Sequence, residues 1–233
     1  MTPDMLNLQW NTVILYPAGH NARRINVAPS VKLPAGWQFG IALDQAGQSA
    51  ADGNVVFKTV TLETLVDSPM FAGRHFKRVD LDPGASVPVH MDIVADEAKD
   101  LDITPEQLKA HRALVQQAYK LFGSHHYDHY DFLLALSDQQ SRIGLEHHRS
   151  SEDGTEPGYF SAWDRQAQER DLLPHEFTHS WNGKFRRPAD LATPNFNVPM
   201  GDSLLWVYEG QTQYWGFVLA ARSGLWTIDQ ARD

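Results

Sequence analysis

From residue 5 to about residue 95 the chain alternates short apolar runs with breaks that contain proline or glycine. LNLQWNTVILYPAG, WQFGIAL, NVVFKTVTLETLV, RHFKRVDLDPG and SVPVHMDIV read as strands parted by turns. Together they predict an antiparallel, sandwich-like β domain. From Thr104 the period lengthens. Thr104-Pro105-Glu106-Gln107 is a capping box with proline at the first helical position, and it opens a helix carrying Leu108, Leu114, Val115, Ala118 and Phe122. The charged stretch Asp96–Asp102 between the two textures puts a boundary there, giving units 1–97 and 98–233. Beyond it, YDFLLAL (Tyr130–Leu136) is a short apolar strand and RIGLEHH a second one near a sheet edge. SSEDGTEPG (Ser150–Gly158) reads as a polar loop on the rim of a cleft. There are no internal repeats.

Two more helices follow. Leu173, Phe177 and Trp181 lie at i, i+4 and i+8 and form one apolar stripe, with Asp171 as N-cap, Pro174 in the first turn and Gly183 as a stop. Facing away from that stripe are His175 and His179, one turn apart, in the pattern H-E-x-x-H. Two imidazoles so placed can bind one zinc ion. Glu176 then flanks the metal and is positioned to take a proton from a bound water and return it to a leaving amine. The run LLWVYEGQTQYWGFVLAARSG (Leu204–Gly224) predicts a second helix, capped by Asp202 or Ser203. It is apolar nearly all round and so is expected to be buried. Glu209 is its one acidic residue, and a buried carboxylate needs a partner. Zinc is one candidate; Arg186, Arg187 or a lysine is the other. Gly210 and Gly216 would let a neighbouring helix approach closely.

Composition narrows the choice of partners. Net charge is −9 and no basic cluster exceeds Arg186-Arg187 or Arg23-Arg24, which argues against nucleic acid and against acidic membrane surfaces. No apolar run approaches the roughly 18 residues of a spanning helix. With no cysteine, metal ligands must be histidine or carboxylate. The start, MTPDMLNLQWNTVILY, lacks the features of a signal peptide, which leaves a cytoplasmic or an exported location open. His20, His75 and His90 read as ordinary polar residues, and His125-His126-Tyr127-Asp128-His129 as a solvated loop and not a second metal site.

HEFTHSWNGKFRRPADL followed by LLWVYEGQTQYWG resembles the glycyl aminopeptidase family of gluzincin zinc metallopeptidases, and LPAGW and LVDSPMFAG are similar to its amino-terminal domain. The resemblance implies one zinc per chain, held by His175, His179 and, 30 residues further on, Glu209. It implies a preference for small amino-terminal residues (Gly, Ala). Through the larger zinc aminopeptidases it also makes Glu146, in Gly144-Leu145-Glu146-His147, the group that binds the free amine of a peptide. On spacing alone Glu146 could equally be an exposed strand residue beside His147, His148 and Arg149. Family members usually continue into more helices and a PDZ module. Thr227-Ile228-Asp229-Gln230 is a capping box that announces a helix, so this chain is expected to be truncated. The residue stabilising the oxyanion is expected beyond Asp233, with Tyr208 and Tyr214 as packing residues.

The expected fold is α+β: an N-terminal antiparallel β-sandwich-like domain, then the first part of a thermolysin-like α/β catalytic domain. The expected activity is zinc-dependent aminopeptidase, with Glu176 as general base, on peptides with a free N-terminus. Two rivals stay open: a zinc endopeptidase of the same class, and a non-catalytic peptide-binding module that keeps the metal site.

Overall fold

The computed structural model describes residues 1–47 and 53–232. Seven short strands come first: β1 (Met5–Leu8), β2 (Asn26–Val27), β3 (Ser30–Lys32), β4 (Gln38–Ile41), β5 (Asn54–Val56), β6 (Val60–Thr61) and β7 (Met70–Gly73). A short helix, α1 (Leu62–Val66), precedes β7 and is capped by the Thr61 side chain. Strands β1 and β4 flank β7 in an antiparallel three-stranded sheet, while β2–β6 and β3–β5 are two-stranded ribbons.

The second sheet has five strands: β8 (His75–Asp80), β9 (Val89–Ala95), β10 (Tyr130–Leu136), β11 (Ile143–Glu146) and β12 (Ser150–Thr155). Their order is β11-β12-β10-β9-β8, with β10 parallel to both β9 and β12 and the outer strands antiparallel. This pairing crosses the boundary expected at residue 97/98, because β8 and β9 lie before it and belong to the same sheet as β10. Alternating strands punctuated by proline and glycine look alike in either sheet, so the local pattern could not mark where one sheet ends.

Side-chain alternation explains how the sheets stack. Along β10, Tyr130, Phe132, Leu134 and Leu136 enter one core while Leu133 and Ala135 enter another. A strand buried on both faces has no solvent side, hence the continuous apolar run from Phe132 to Leu136. The first core also contains Leu114, Val115 and Ala118 of α2 (Pro105–Phe122), Leu173 and Phe177 of α3 (Leu172–His179), and Leu219 and Ala220 of α4 (Thr212–Ser223). The second joins Leu133, Ala135 and Val94 to Met5 and Phe71 of the three-stranded sheet. The molecule is thus layered: helices, five-stranded sheet, three-stranded sheet. The sandwich partner of the N-terminal sheet is the five-stranded sheet, and not a second sheet of its own.

Several local expectations hold and several change. The capping box of α2 is formed at both bonds, and Leu173, Phe177 and Trp181 are buried together. The segment Ser150–Thr155, expected as a loop, is the fully buried strand β12. Its central side chains are polar but partnered, Glu152 accepting from Asn7 at 2.5 Å and Ser151 donating to Asp153 at 2.7 Å, while Ser150 Oγ and Thr155 Oγ1 at its two ends are buried without a partner. Patterning by apolarity misses a strand whose burial is offset by hydrogen bonds. Asp171 is itself helical and does not cap α3; its carboxylate accepts from Gln213 at 3.0 Å. The Leu204–Gly224 segment is not buried all round: Trp206 and Tyr214 are exposed. Among the described residues no helix is long and apolar enough to cross a membrane.

Candidate metal centre

Helix α3 packs between the β11–β12 hairpin and α4, and the closeness of α3 to α4 is set by one residue. A side chain at Gly216 would stand 3.1–3.3 Å from the backbone and Cβ of His175. Gly210, the other glycine expected to play this part, faces open space. With the helices this close, His175 Nε2 and His179 Nε2 lie 3.1 Å apart, and the Glu209 carboxylate stands 3.5 and 3.4 Å from them. Glu209 sits in a π-helical turn, Trp206–Gln211, that leads into α4. Such wide turns shift the helix face by part of a residue and recur at functional sites.

The three donors form a triangle of 3.1–3.5 Å edges. A tetrahedral zinc ion with ligands at about 2.0–2.1 Å sets its donors about 3.3–3.4 Å apart, so these residues fit that ion without rearrangement. His179 Nδ1 lies 3.1 Å from the Asn182 carbonyl and 3.3 Å from Thr212 Oγ1. Donation to that carbonyl leaves Nε2 as the lone-pair nitrogen that a metal requires. Burial, and for His175 also the neighbouring imidazole, pushes the pKa of both histidines down, which favours the neutral imidazole that a metal would require. Glu209 is half-exposed, on the open side, with the imidazoles and no arginine as its ion-pair partners.

Glu176 comes within 4.8 Å of the same imidazoles but is turned toward β11. Its Oε1 lies against Gly144, where any side chain would collide with it, and its Oε2 is buried without a hydrogen-bond partner. Burial first, then Asp153, Glu146 and Glu209, raise its pKa well above the usual carboxylate range. A dication bound beside it would draw that pKa back down, leaving a carboxylate able to accept a proton and return it. A dication among these carboxylates would offset their mutual repulsion.

Glu146 ends the edge strand β11. Burial raises its pKa, but His179, Lys184 and the Tyr208 hydroxyl outweigh burial, and the carboxyl lies below its usual range. The bond from Tyr208 corrects the expectation for that residue. Tyr208 is buried, packs against the His179 ring with centroids 4.7 Å apart, and donates its hydroxyl to Glu146. Its position next to Glu209 was the available signal: the residue before a ligand on a helix lies about 100° away and can face an adjoining group. Gly183, with φ of 142°, leaves room for the Tyr208 ring. Tyr214, by contrast, is largely exposed and packs no core.

A cleft of about 390 Å³ runs along β11 and α3, lined by Ile143, Gly144, Asp171, His175, Glu176 and Gln213. A larger hollow of about 860 Å³, lined in part by Trp37, Phe39, Arg78, His90 and Asp131, contains none of the residues of the centre. Among the described residues, His175, Glu176 and His179 likewise bring three potential ligand groups within 4.8 Å of one another. The His125–His129 segment is packed and not simply solvated: His126 stacks on Phe185 at 4.7 Å, and His129 bonds Asp131.

The fold is that of zinc metallopeptidases. It matches an aminopeptidase N family protein from Idiomarina loihiensis with a TM-score of 0.73 at 19% identity, over 98% of this chain and 39% of that one. It also matches a two-domain M1 zinc metallopeptidase, as a glutamate-to-alanine variant bound to L-tryptophan, with a TM-score of 0.51 at 20% identity, over 85% and 40%. The chain therefore spans about 40% of the length of these structures. No curated protein sequence matches it significantly. The sequence pattern of the M61 glycyl aminopeptidase matches residues 168–233, and that of the M61 N-terminal domain matches residues 1–74. The chain belongs to the M61 glycyl aminopeptidase family.

Proposed function

We propose that this chain carries the zinc site of an aminopeptidase that removes small amino-terminal residues, Gly or Ala, from peptides. The observation that carries the reading is the triangle of His175, His179 and Glu209, whose edges match a tetrahedral zinc. When bound there, zinc supplies a Lewis acid and an acidified water. Glu176 takes the proton of the attacking water on Oε2 and hands it to the leaving amine, a role supported by its raised pKa and unpartnered oxygen. Glu146, ionised and beyond the imidazoles, binds the α-ammonium of the substrate. That contact favours free amino termini over internal bonds, because an internal peptide nitrogen carries no charge. The preference for Gly follows the family's description as a glycyl aminopeptidase, and Ala extends it to the next smallest side chain. The partner is a peptide with a free amino terminus.

The test pairs metal analysis with a substrate comparison. Zinc should be present at one ion per chain, and a Gly- or Ala-initiated peptide should lose its first residue while its amino-acetylated form stays intact. Cleavage of the acetylated peptide would point to an endopeptidase; zinc without turnover would point to a binding module. Glu176→Gln should keep the metal and lose roughly 10²-fold or more in kcat.

A further inference from the structure

We propose that His147 is a positioning residue for Glu146, and that through it the N-terminal β unit sets the amine-binding end of the cleft. The inference rests on the reading of Glu146 as the amine anchor. Glu146 ends a strand with a neighbour on one side only. A carboxylate that must meet an ammonium ion has to be held to about 0.5 Å, so something other than sheet pairing must fix it.

The next residue supplies that restraint. His147 is buried, and each of its ring nitrogens faces a carboxylate: Nδ1 lies 3.2 Å from Asp67 and Nε2 lies 3.1 Å from Glu152. An imidazole with an anion at each nitrogen donates from both, which fixes the ring in plane and in rotation. Its pKa is raised; burial opposes this, and the two carboxylates outweigh burial. Asp67, just after α1, also takes Lys184 Nζ at 2.6 Å on the same oxygen and the His148 amide at 2.9 Å on the other. Glu152 takes Asn7 at 2.5 Å and Gln9 at 3.3 Å on its second oxygen. The apex of the β11–β12 hairpin is thereby tied to β1, to the end of α1 and to the segment after α3. Two cations, His147 and Lys184, face two anions, Asp67 and Glu152, so the chain of contacts is balanced in charge. None of these four groups belongs to the metal triangle.

Two zinc-directed probes separate positioning from mere stability in the full, zinc-loaded chain: glycine hydroxamate, which has a free α-amine, and acetohydroxamate, which lacks it. The ratio of their Kd values reads amine recognition, and effects on metal or fold cancel. Asp67→Asn and His147→Gln should each reduce the ratio about tenfold, with acetohydroxamate affinity and zinc content unchanged. Lys184→Arg should preserve the ratio. If Glu146→Gln collapses the ratio but Asp67→Asn and His147→Gln do not, the inference is overturned and the amine-anchor reading stands. If Glu146→Gln leaves the ratio intact, the anchor reading fails and takes the inference with it. Equal weakening of both probes would make the network structural only, and overturn the inference. Should His147→Gln not fold, the isosteric Asp67→Asn carries the same comparison.

Discussion

Two clusters of histidine and carboxylate, one on the strands of the five-stranded sheet and one on the helices packed against it, are alike in composition and opposite in state. In the first, Asp131 bonds His90 at 3.1 Å and His129 at 2.9 Å, and Arg78 grips Asp92 through two bonds of 2.6 Å. Its principal donors and acceptors face each other. In the second, His175 Nε2, His179 Nε2 and Glu209 converge within 3.1–3.5 Å, His175 Nδ1 is buried without a partner, and Glu176 keeps an unpartnered oxygen. A cluster that satisfies itself is structure, whereas one whose lone pairs converge unsatisfied can hold a cation. Residue types do not distinguish the two; unspent lone pairs do.

Replacing one member of each cluster should break the comparison most sharply. His179→Ala should weaken zinc affinity at least roughly 10²-fold, since even outer partners of metal ligands cost 10–100-fold. His90→Ala should leave zinc content and turnover unchanged. Dialysis followed by metal analysis reads both, and zinc loss from the His90 variant would erase the distinction drawn between the clusters.

Asp131→Ala should instead show up in stability. It strips a buried anion from two histidines and an arginine, and urea unfolding should register a loss of about 3–5 kcal/mol with zinc binding retained.

Behind Glu176, Asp153 gives a pH signature. Burial raises its pKa to about 7, with Ser151 opposing through a hydrogen bond. The folded state thus holds a proton that the unfolded chain gives up near pH 4, and by linkage this contribution to stability falls as pH rises from about 4 to about 7. Asp153→Asn should flatten that part of the stability profile and raise stability at pH 8, as measured by denaturant midpoints across the range.

The smallest effect concerns the link between the centre and its substrate end. Tyr208→Phe removes one bond to Glu146 and should raise KM for a free-amine peptide roughly fivefold, with kcat and zinc content held. A fall in kcat alone would place Tyr208 in the chemistry and not in binding.

What was legible in the sequence was whatever one element encodes by itself. The i, i+4 histidines, the apolar stripe of Leu173, Phe177 and Trp181, and the Thr104–Gln107 cap each follow from the geometry of a single helix. What stayed hidden depended on contacts between elements. Strand β12 is polar in sequence and buried in fact, because Asn7, Gln9 and His147 come from elsewhere to meet Glu152. Tyr208 looked like packing until the fold brought Glu146 to its hydroxyl, and β8 and β9 looked like one domain until they paired with another.

The sequence by itself determined which residues can bind a metal and on which helix face they stand, because backbone periodicity fixes the direction of side chains within an element. Only the tertiary structure decided which donors converge and which are already satisfied. Lone pairs are used up by neighbours distant in sequence, and no local pattern records that distance.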